Sequence, residues 1–386
     1  MKFKTIKIED ALDALIDYRG KTPKKSEVGI MTLSAKSVKN NYIDYSQCYY
    51  ISEEEYKRFM VRGFPKKGDI LLTTEAPLGM VARLERDDVA MAQRLLTLRG
   101  KKGVLDNDYL LYYLQSPVGQ FSLKARGTGT TVTGIKQAEF RKMEIKVPDY
   151  KIQKKIASVL RSIDKKIELN IAINNNLFQQ AQALYKNRFI EMNPFNGKMP
   201  TDWHLGTASE IIELHDSKRI PLSKRERTKL DKIYPYYGAT SVMDYVDRYI
   251  FDGIYLLLGE DGTVVDSKGF PILQYVAGKF WVNNHAHIIT GKEGFSVESL
   301  YLLFSLTSVQ SIVTGAVQPK ISQTNLNKVP VIVPSTAELT AFDMVIQPIF
   351  TQIRNLRAEN ERLATTRDTL LPRLMSGELD VANIEI

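Results

Sequence analysis

The chain of 386 residues consists of two similar halves, and this repeat limits the possible folds more than any other feature. The segment GDILL (68–72) aligns with GIYLL (253–257) at an offset of 185 in the numbering. Further along, GIKQAEFRKMEIKVP (134–148) aligns with KISQTNLNKVPVIVP (320–334) at an offset of 186. A period of half the chain indicates duplicated domains rather than a solenoid of short repeats.

Each half ends in a segment with the pattern of a long helix. After Pro148 and after Pro334, apolar residues recur at alternating steps of four and three. This heptad spacing, held over about four repeats in each copy, predicts two long helices that pair through the repeating positions. Asn174 and Asn360 occupy equivalent positions, where a buried amide would fix the register of pairing. The predicted pairing residues are Ile156, Leu160, Ile163, Ile167, Asn174, Leu177, Phe342, Ile346, Ile349, Ile353, Asn360 and Leu363.

Helix-breaking residues set the expected ends of these helices. Pro348 should kink the second helix or mark its true start, because proline lacks a backbone donor. The run PRLMSG (372–377) should end that helix, and the turn run NPFNG (193–197) should follow the first. The resulting segments are a first domain (1–148), a central helix (149–192), a second domain (193–334) and a C-terminal helix (335–386).

The segments before the helices have the composition of mixed α/β domains with many short strands. Residues 108–115 and 299–306 should form short helices, because their leucines and tyrosines recur at steps of three and four. The fold class is therefore mixed α/β (α+β), with two pseudo-repeated globular domains of roughly 150 residues, each followed by a helix of about 40. Strands are predicted at 69–72, 93–98, 143–147, 254–258, 285–290 and 329–333.

The charge of the chain is basic and unevenly distributed. The 53 Lys and Arg residues exceed the 44 Asp and Glu residues, which gives a net charge of +9. Residues 1–200 carry 35 basic and 22 acidic side chains (+13), whereas residues 201–386 carry 18 and 22 (−4). This balance favours an anionic partner such as nucleic acid. The single cysteine, Cys48, fits a reducing cytoplasm and excludes a cysteine-rich zinc site, and no apolar run is long enough to span a membrane.

The familiar catalytic patterns are incomplete. Gly129 and Gly134 have the spacing of a phosphate-binding loop, but Ile135 stands where that loop needs lysine. The run EIK (144–146) has the Glu-x-Lys form of metal-dependent nucleases, but its duplicate lacks the carboxylate. His285 and His287 alternate on a predicted strand without a third ligand nearby, so a DNA-facing or structural role is favoured over a metal site.

The remaining polar features suit contact with a ligand. The loop ARGTGTTVTGIKQ (125–137) and its counterpart TGAVQPKISQ (314–323) combine small residues with the side chain types that contact phosphates and base edges. Seven cations between 218 and 232 suit phosphate binding, although a solvated loop is an equally good interpretation. The candidate DNA-contacting residues are Lys36, Lys39, Arg94, Arg126, Thr128, Thr130, Thr131, Lys136, Gln137, Lys218, Arg219, Lys224, Arg225, His285, Gln318, Lys320 and Gln323.

The order of four segments along the chain resembles a known family. They are the strand GDILLTT (68–74), the loop GTGTT (127–131) that runs into EFRKMEIKVP (139–148), the helix start IQKKIASVLRSIDKKIE (152–168) and the terminal LLPRLMSGELD (370–380). Together they resemble the DNA specificity (S) subunit of type I restriction-modification systems. The resemblance spans nearly the whole chain.

This resemblance implies a non-catalytic subunit with two target-recognition domains, each reading half of a split DNA site. Two long antiparallel coiled-coil helices would hold the domains apart and dock two modification (methyltransferase) subunits, which the restriction (translocase/nuclease) subunits then join. The chain itself would need no cofactor, because S-adenosylmethionine, ATP and Mg²⁺ would be bound by the partner subunits. A helix from Ile156 to Leu184 would rise about 42 Å, a little more than the roughly 34–36 Å of one B-DNA turn.

The recognition loops differ between the copies, so the two half-sites should differ and the target should be asymmetric. Two other functions stay open on the sequence alone. One is an interaction module in which paired helices space two domains that bind protein or RNA. The other is an enzyme with an unrecognised site.

Overall fold

The computed structural model describes residues 1–129, 133–315 and 317–382. Packing divides the chain into two compact units. The first unit contains Met1–Glu168 and the chain from Asn360 onward, and the second contains Leu169–Glu359. Each of two long helices therefore contributes to both units, whereas the boundaries predicted from sequence treat the helices as separate segments.

The first unit combines short strands and short helices with parts of the two long helices. Side-chain caps explain several helix starts: Ser52, Asp106 and Ser116 each accept a hydrogen bond from a backbone N–H in the first turn that follows. Its elements are β1 (Phe3–Lys7), α1 (Ile8–Ala11), β2 (Leu12–Asp17), β3 (Ile30–Leu33), β4 (Tyr49–Ile51), α2 (Glu53–Phe59), β5 (Ile70–Thr73), β6 (Val81–Arg83), β7 (Val89–Met91), β8 (Leu95–Gly100), α3 (Asn107–Gln115), α4 (Pro117–Ala125), α5 (Gln137–Arg141), β9 (Glu144–Pro148) and the start of α6 (Tyr150–Tyr185).

Strand β5 lies at the centre of this unit. It belongs to an antiparallel sheet with the order β2-β8-β5-β6, and its side chains are buried on both faces. Ile70 and Leu72 pack into one apolar cluster with α3, whereas Leu71 packs into another with β3 and β7. This alternation follows from the two-residue period of a strand. The described residues form two further sheets, β4-β3-β7 and β1-β9.

The second unit repeats this plan with longer strands. Its large sheet has the order β11-β16-β14-β15-β12-β13, and β10 pairs with β17. Its elements are β10 (His204–Thr207), α7 (Ala208–Ile211), β11 (Ile212–Leu214), α8 (Lys224–Arg227), β12 (Tyr234–Tyr237), β13 (Val242–Val246), β14 (Phe251–Gly259), β15 (Leu273–Val282), β16 (Ala286–Gly291), α9 (Val297–Ser305), α10 (Gln323–Asn327), β17 (Pro330–Val333) and the start of α11 (Thr336–Ser376).

The sheet topology confirms the duplication. The order β2-β8-β5-β6 in the first unit matches β11-β16-β14-β15 in the second, and the parallel pair β3-β7 matches β12-β15. Helices α5 and α10 have equal lengths, and their first residues, Gln137 and Gln323, are related by the offset of 186. All six strands and both short helices predicted from sequence are present, with ends that differ by at most three residues.

The alignment of GDILL with GIYLL at an offset of 185 is wrong by one residue. Strand β5 pairs Leu72 with Leu96 of β8, and strand β14 pairs Leu258 with His287 of β16. The isolated bridge from Glu75 to Gly134 likewise matches the bridge from Asp261 to Lys320, which fixes the offset at 186. A one-residue slip matters because it exchanges the two faces of a strand. Glu75 therefore corresponds to Asp261 rather than to Glu260.

In the first unit, the two long helices pair through apolar and polar contacts. Ile156 and Leu160 of α6 share a buried cluster with Leu374 of α11. A guanidinium N–H of Arg367 donates to Asp164 at 2.8 Å, and this carboxylate also accepts a hydrogen bond of 2.6 Å from the Tyr112 hydroxyl. The contact between α6 and α11 in this unit is therefore partly polar.

In the second unit, an aromatic cluster joins the other parts of the same helices. Tyr185 lies against Phe342 at a ring distance of 5.7 Å, and Phe178 lies against Phe350 at 6.5 Å. Later residues of α6 thus contact earlier residues of α11, which makes the pair antiparallel. The buried amide of Asn170 donates to Glu359 at 2.8 Å.

The predicted pairing residues vary in burial. Ile156, Leu160, Phe342, Ile346 and Ile353 are buried. The remaining predicted residues are partly buried, namely Ile163, Ile167, Asn174, Leu177, Ile349, Asn360 and Leu363.

The long helices end where the helix-breaking residues predict, but one prediction about these residues is wrong. Helix α6 ends before the turn run 193–197, and α11 ends at Ser376, directly before Gly377. The prediction that Pro348 could mark the start of α11 is wrong, because the buried Leu339, Phe342 and Ile346 hold earlier turns against the core. No helix in the described ranges is long and apolar enough to cross a membrane.

Candidate nucleic-acid interface

A short hairpin occupies the same place in each unit. Thr128 and Gly134 exchange two backbone hydrogen bonds of 2.8 and 2.9 Å, and Thr314 and Lys320 exchange bonds of 2.9 and 2.7 Å. The two pairs are related by the same offset of 186. The hairpins are therefore equivalent structures, as the two loop sequences predict.

Both hairpins turn at an equivalent glycine. Gly129 and Gly315 have positive φ values of 112° and 88°. A Cβ atom on Gly315 would lie 2.2 Å from the carbonyl oxygen of Gln318, so a side chain does not fit there. The candidate residues Thr130 and Thr131 lie outside the described residues.

A buried isoleucine fixes the base of each hairpin to the residue that follows the central strand of its unit, which is β5 in the first unit and β14 in the second. The backbone N–H of Ile135 donates to the carbonyl of Thr74 at 2.9 Å, and that of Ile321 donates to Glu260 at 2.8 Å. Both isoleucine side chains are fully buried. Each hairpin is thus held beside the end of its central strand, where Glu75 or Asp261 follows.

A basic side chain lies against each of these two carboxylates. The Nε atom of Arg94 lies 2.8 Å from Oε1 of Glu75, and Nδ1 of His285 lies 2.6 Å from Oδ1 of Asp261. The backbone shows that Arg94 and His285 are equivalent, because Thr74 donates to the carbonyl of Arg94 and Glu260 donates to that of His285. Sequence reasoning named both residues as candidates but found neither carboxylate partner.

In the first unit, Arg94 borders a cleft of about 520 Å³. The predicted Lys36 also lines the cleft, whereas Lys39 is half-buried outside it. Sequence reasoning missed most of the polar lining, because its residues come from separate loops and strand ends. The residues that line the cleft are Thr22, Lys25, Ser34, Ala35, Lys36, Ser46, Gln47, Cys48, Tyr49, Ala76, Ala92, Gln93 and Arg94.

Other candidates flank the first hairpin. Arg126 lies half-buried at the end of α4, and Thr128 is exposed. Lys136 is exposed directly before α5, and Gln137 is the half-buried first residue of that helix. The structure thus brings these four residues together at one hairpin.

The basic run of the second unit divides into paired and exposed cations. Lys232 and Arg227 both contact Asp244, and these contacts, that of Lys232 above all, hold the pKa of Asp244 at about 2. The cations that are exposed and form no ion pair within the described residues are Lys218, Lys224, Arg225 and Lys229. These four are available to a phosphate backbone.

Arg219 and Gln323 instead belong to a buried polar network. Arg219 contacts Glu260 at 2.5 Å, and Gln323 donates to Asp216 at 2.6 Å. The imidazole of His287 is fully buried between Asp216 and the carbonyl of Ile321, at 2.6 and 2.7 Å. The side chains of Arg219 and Gln323 are therefore occupied by partners within their own unit.

Charge neutralisation keeps both carboxylates of this network ionised. Burial alone would raise the pKa of Asp216, but hydrogen bonds from His287 and Gln323 and from the backbone lower it below its ordinary value. Burial likewise opposes ionisation of Glu260, and Arg219 holds its pKa below the usual range. Asp216, Glu260 and His287 lie close enough to bind one metal ion. The guanidinium between the two carboxylates already supplies the compensating charge, so the geometry favours a structural role.

The remaining candidates lie on the second hairpin. Gln318 is exposed, and Lys320 lies 3.2 Å from Glu260 with about half of its side chain exposed. His285, on the neighbouring strand end, is also half-exposed. Exposed cations beside a small-residue turn are typical of proteins that bind nucleic acid. The duplicated mixed α/β fold and these exposed residues therefore suit a protein that binds nucleic acid.

Comparison with known proteins identifies the family within this class. The family model described as the type I restriction modification DNA specificity domain matches residues 2–179 and 200–365. The chain belongs to this family. The resemblance found in the sequence is thus confirmed, and a role in DNA recognition is supported.

Individual relatives agree with this assignment. The type I restriction enzyme MjaIX specificity subunit of Methanocaldococcus jannaschii is 26% identical, and the alignment covers 86% of this chain and 82% of the relative. The HindI specificity subunit of Haemophilus influenzae is 21% identical over 81% of this chain and 87% of its own length. Both names describe a specificity subunit, which agrees with the prediction of a non-catalytic chain.

A solved structure supports the fold. The crystal structure of the S subunit of a type I restriction-modification system from M. genitalium matches with a TM-score of 0.56 and 17% identity. The match covers 97% of this chain and 96% of that one. The mixed α/β class with a long helix between two repeats is thus shared with a known S subunit.

Proposed function

We propose that this chain reads a bipartite, asymmetric DNA site, one half per unit, within a type I restriction-modification complex. The observation that carries the proposal is the repeated hairpin with a basic side chain beside a carboxylate. Each unit has one such hairpin, and the exposed side chains differ between Arg94 and His285. Different side chains on equivalent backbones favour different bases, because readout depends on the donors and acceptors presented.

Methylome sequencing would test this proposal. The chain is expressed with its cognate modification subunit, beside a strain with the modification subunit alone. We expect a new split motif of N6-methyladenine that is not a palindrome. Exchange of residues 201–334 for those of a related chain should change one half of the motif and leave the other intact. An assembled complex that yields no new motif, or an exchange that changes both halves, would contradict the proposal and favour an interaction module.

The proposal includes docking of modification and restriction subunits on the long helices. Leu169 and Ile173 of α6 lie one helical turn apart and are 51% and 45% exposed. Exposed apolar side chains grouped on one face mark interaction surfaces. In this arrangement the chain supplies no catalysis and binds no cofactor, while its partners bind S-adenosylmethionine, ATP and Mg²⁺. A cytoplasmic setting, in which Cys48 stays reduced, belongs to the same proposal.

Co-purification would test the docking. The double substitution Leu169→Asp and Ile173→Asp should abolish recovery of the modification subunit, because charges would replace the apolar contact. Gln179→Asp, at an exposed position of the same helix, serves as the control and should bind normally. Full recovery with the double variant would place the docking surface elsewhere.

A further inference from the structure

Arg94 has an unusual backbone and a partly free guanidinium. Its φ of 70° lies in the left-handed region, which few residues other than glycine adopt. Its Nε atom lies 2.8 Å from Oε1 of Glu75 in an ion pair, and its two terminal nitrogens have no hydrogen-bond partner among the described residues. About half of the side chain is exposed, and it borders the cleft of the first unit. The unusual backbone conformation of Arg94 is thus accompanied by two terminal nitrogens that are free to donate hydrogen bonds to a ligand.

Glu75 is fixed between the hairpin and the cation. Its backbone forms a bridge with Gly134, and its second carboxylate oxygen lies 4.0 Å from the guanidinium of Arg19. A Cβ atom on Gly134 would lie 3.1 Å from the Cβ atom of Glu75, so the two segments are in close contact. A carboxylate held in this way sets the direction in which the guanidinium of Arg94 extends.

We propose that Arg94 reads a guanine in the half-site bound by the first unit and that Glu75 is its positioning residue. This inference rests on the proposed function. Because the Nε side of the guanidinium faces Glu75, the two terminal nitrogens remain as a fork, which matches the O6 and N7 acceptors on the major-groove edge of guanine. A phosphate contact needs charge near the backbone but no such anchoring, and Lys25 and Lys36 on the same cleft supply that charge.

The second unit does not share this capacity. His285 has Nδ1 against Asp261, which leaves a single ring nitrogen for DNA. One nitrogen makes one hydrogen bond and cannot form the paired contact with guanine. The prediction of a guanine is therefore confined to the first half-site.

Methylome sequencing of variant complexes tests the inference. Arg94→Gly removes the side chain and tolerates the left-handed backbone without strain. We expect one guanine position of the first half-site to lose preference by roughly 5- to 150-fold, the range for one paired base contact. Glu75→Gln should weaken the same position by a smaller factor, and Glu75→Asp should preserve more of it. The second half-site should be read unchanged in every variant, which also reports that the chain folds and assembles.

Arg58→Ala is the matched control. Arg58 also pairs with a glutamate, Glu55, to which Nε donates at 2.9 Å and a terminal nitrogen at 2.6 Å, but it lies outside the cleft. This variant should leave the motif unchanged. Uniformly weaker methylation with every base preference intact would show that Arg94 contacts phosphate and would overturn the inference, as would an unchanged motif. A wild-type complex without a split motif would instead overturn the proposed function, and the inference with it.

Discussion

The two central strands end in equivalent positions that carry different chemistry. In the first unit, Leu72 of β5 pairs with Leu96 of β8, and both side chains pack into an apolar cluster. In the second unit, the equivalent pair is Leu258 and His287, and the imidazole lies in a buried polar network. The same backbone position thus lies in an apolar cluster in one copy and in a buried polar network in the other. Duplication preserves the strand order while the interior side chains diverge.

The arginines beside the two hairpins show the same divergence. Arg219 is 13% exposed and contacts two carboxylates, whereas Arg19 is 40% exposed and lies 4.0 Å from its nearest carboxylate. A buried ion pair is costly to break, because removal of one partner leaves a buried charge without compensation. An exposed pair contributes little. The second unit should therefore depend on its arginine far more than the first.

The largest expected effect comes from removal of that arginine. Arg219→Ala should lower the free energy of unfolding by about 3 kcal/mol, since Asp216 and Glu260 would lose the guanidinium that contacts both, and only the half-exposed Lys320 would still pair with Glu260. Arg19→Ala, the matched control in the first unit, should cost less than about 1 kcal/mol. Chemical denaturation of both variants measures the difference. Equal losses would contradict the distinction between the two units.

The pH dependence of this effect sharpens the comparison. The pKa values of Asp216 and Glu260 are lowered in the folded state, so their contribution is complete above their unfolded values of about 4. That contribution is lost as the pH falls through the lowered values. The wild type should therefore lose stability below about pH 4 more steeply than Arg219→Ala, and the two curves should converge. A gap that stays constant between about pH 6 and about pH 3 would show that the network contributes no electrostatic stability.

Much of this organisation follows from sequence patterns of short range. The heptad spacing predicts both long helices, and the sequences at 125–137 and 314–323 predict loops of the same type at equivalent points, which the structure shows to be hairpins. Strand positions follow from β-branched and leucine-rich runs bounded by turns. Periodicity and local composition are sufficient for such features, because they depend on neighbours along the chain.

The ion pairs could not be predicted in this way. Arg94 and His285 do not obey the offset of 186, because the chain between the central strand and the cation is five residues longer in the second unit. The offset of 185 assigned to the central strands also hid the match of Glu75 with Asp261. Contacts such as Arg219 with Glu260 join residues 41 positions apart, and no periodic signal marks them. Long-range partners of polar residues therefore required the structure.

The smallest expected effect distinguishes the exposed lysines of the two units. Lys36 lines the cleft of the first unit, and Lys218 begins the exposed basic run of the second. If each contacts one phosphate, Lys36→Ala and Lys218→Ala should each lower the slope of log affinity against log salt by roughly 1 without changing base preference. Lys57→Ala, at an exposed position of α2, is the control and should leave the slope unchanged. A reduced slope for Lys36→Ala alone would mean that the second unit relies on base contacts more than on phosphate contacts. The net negative charge of residues 201–386 agrees with that outcome.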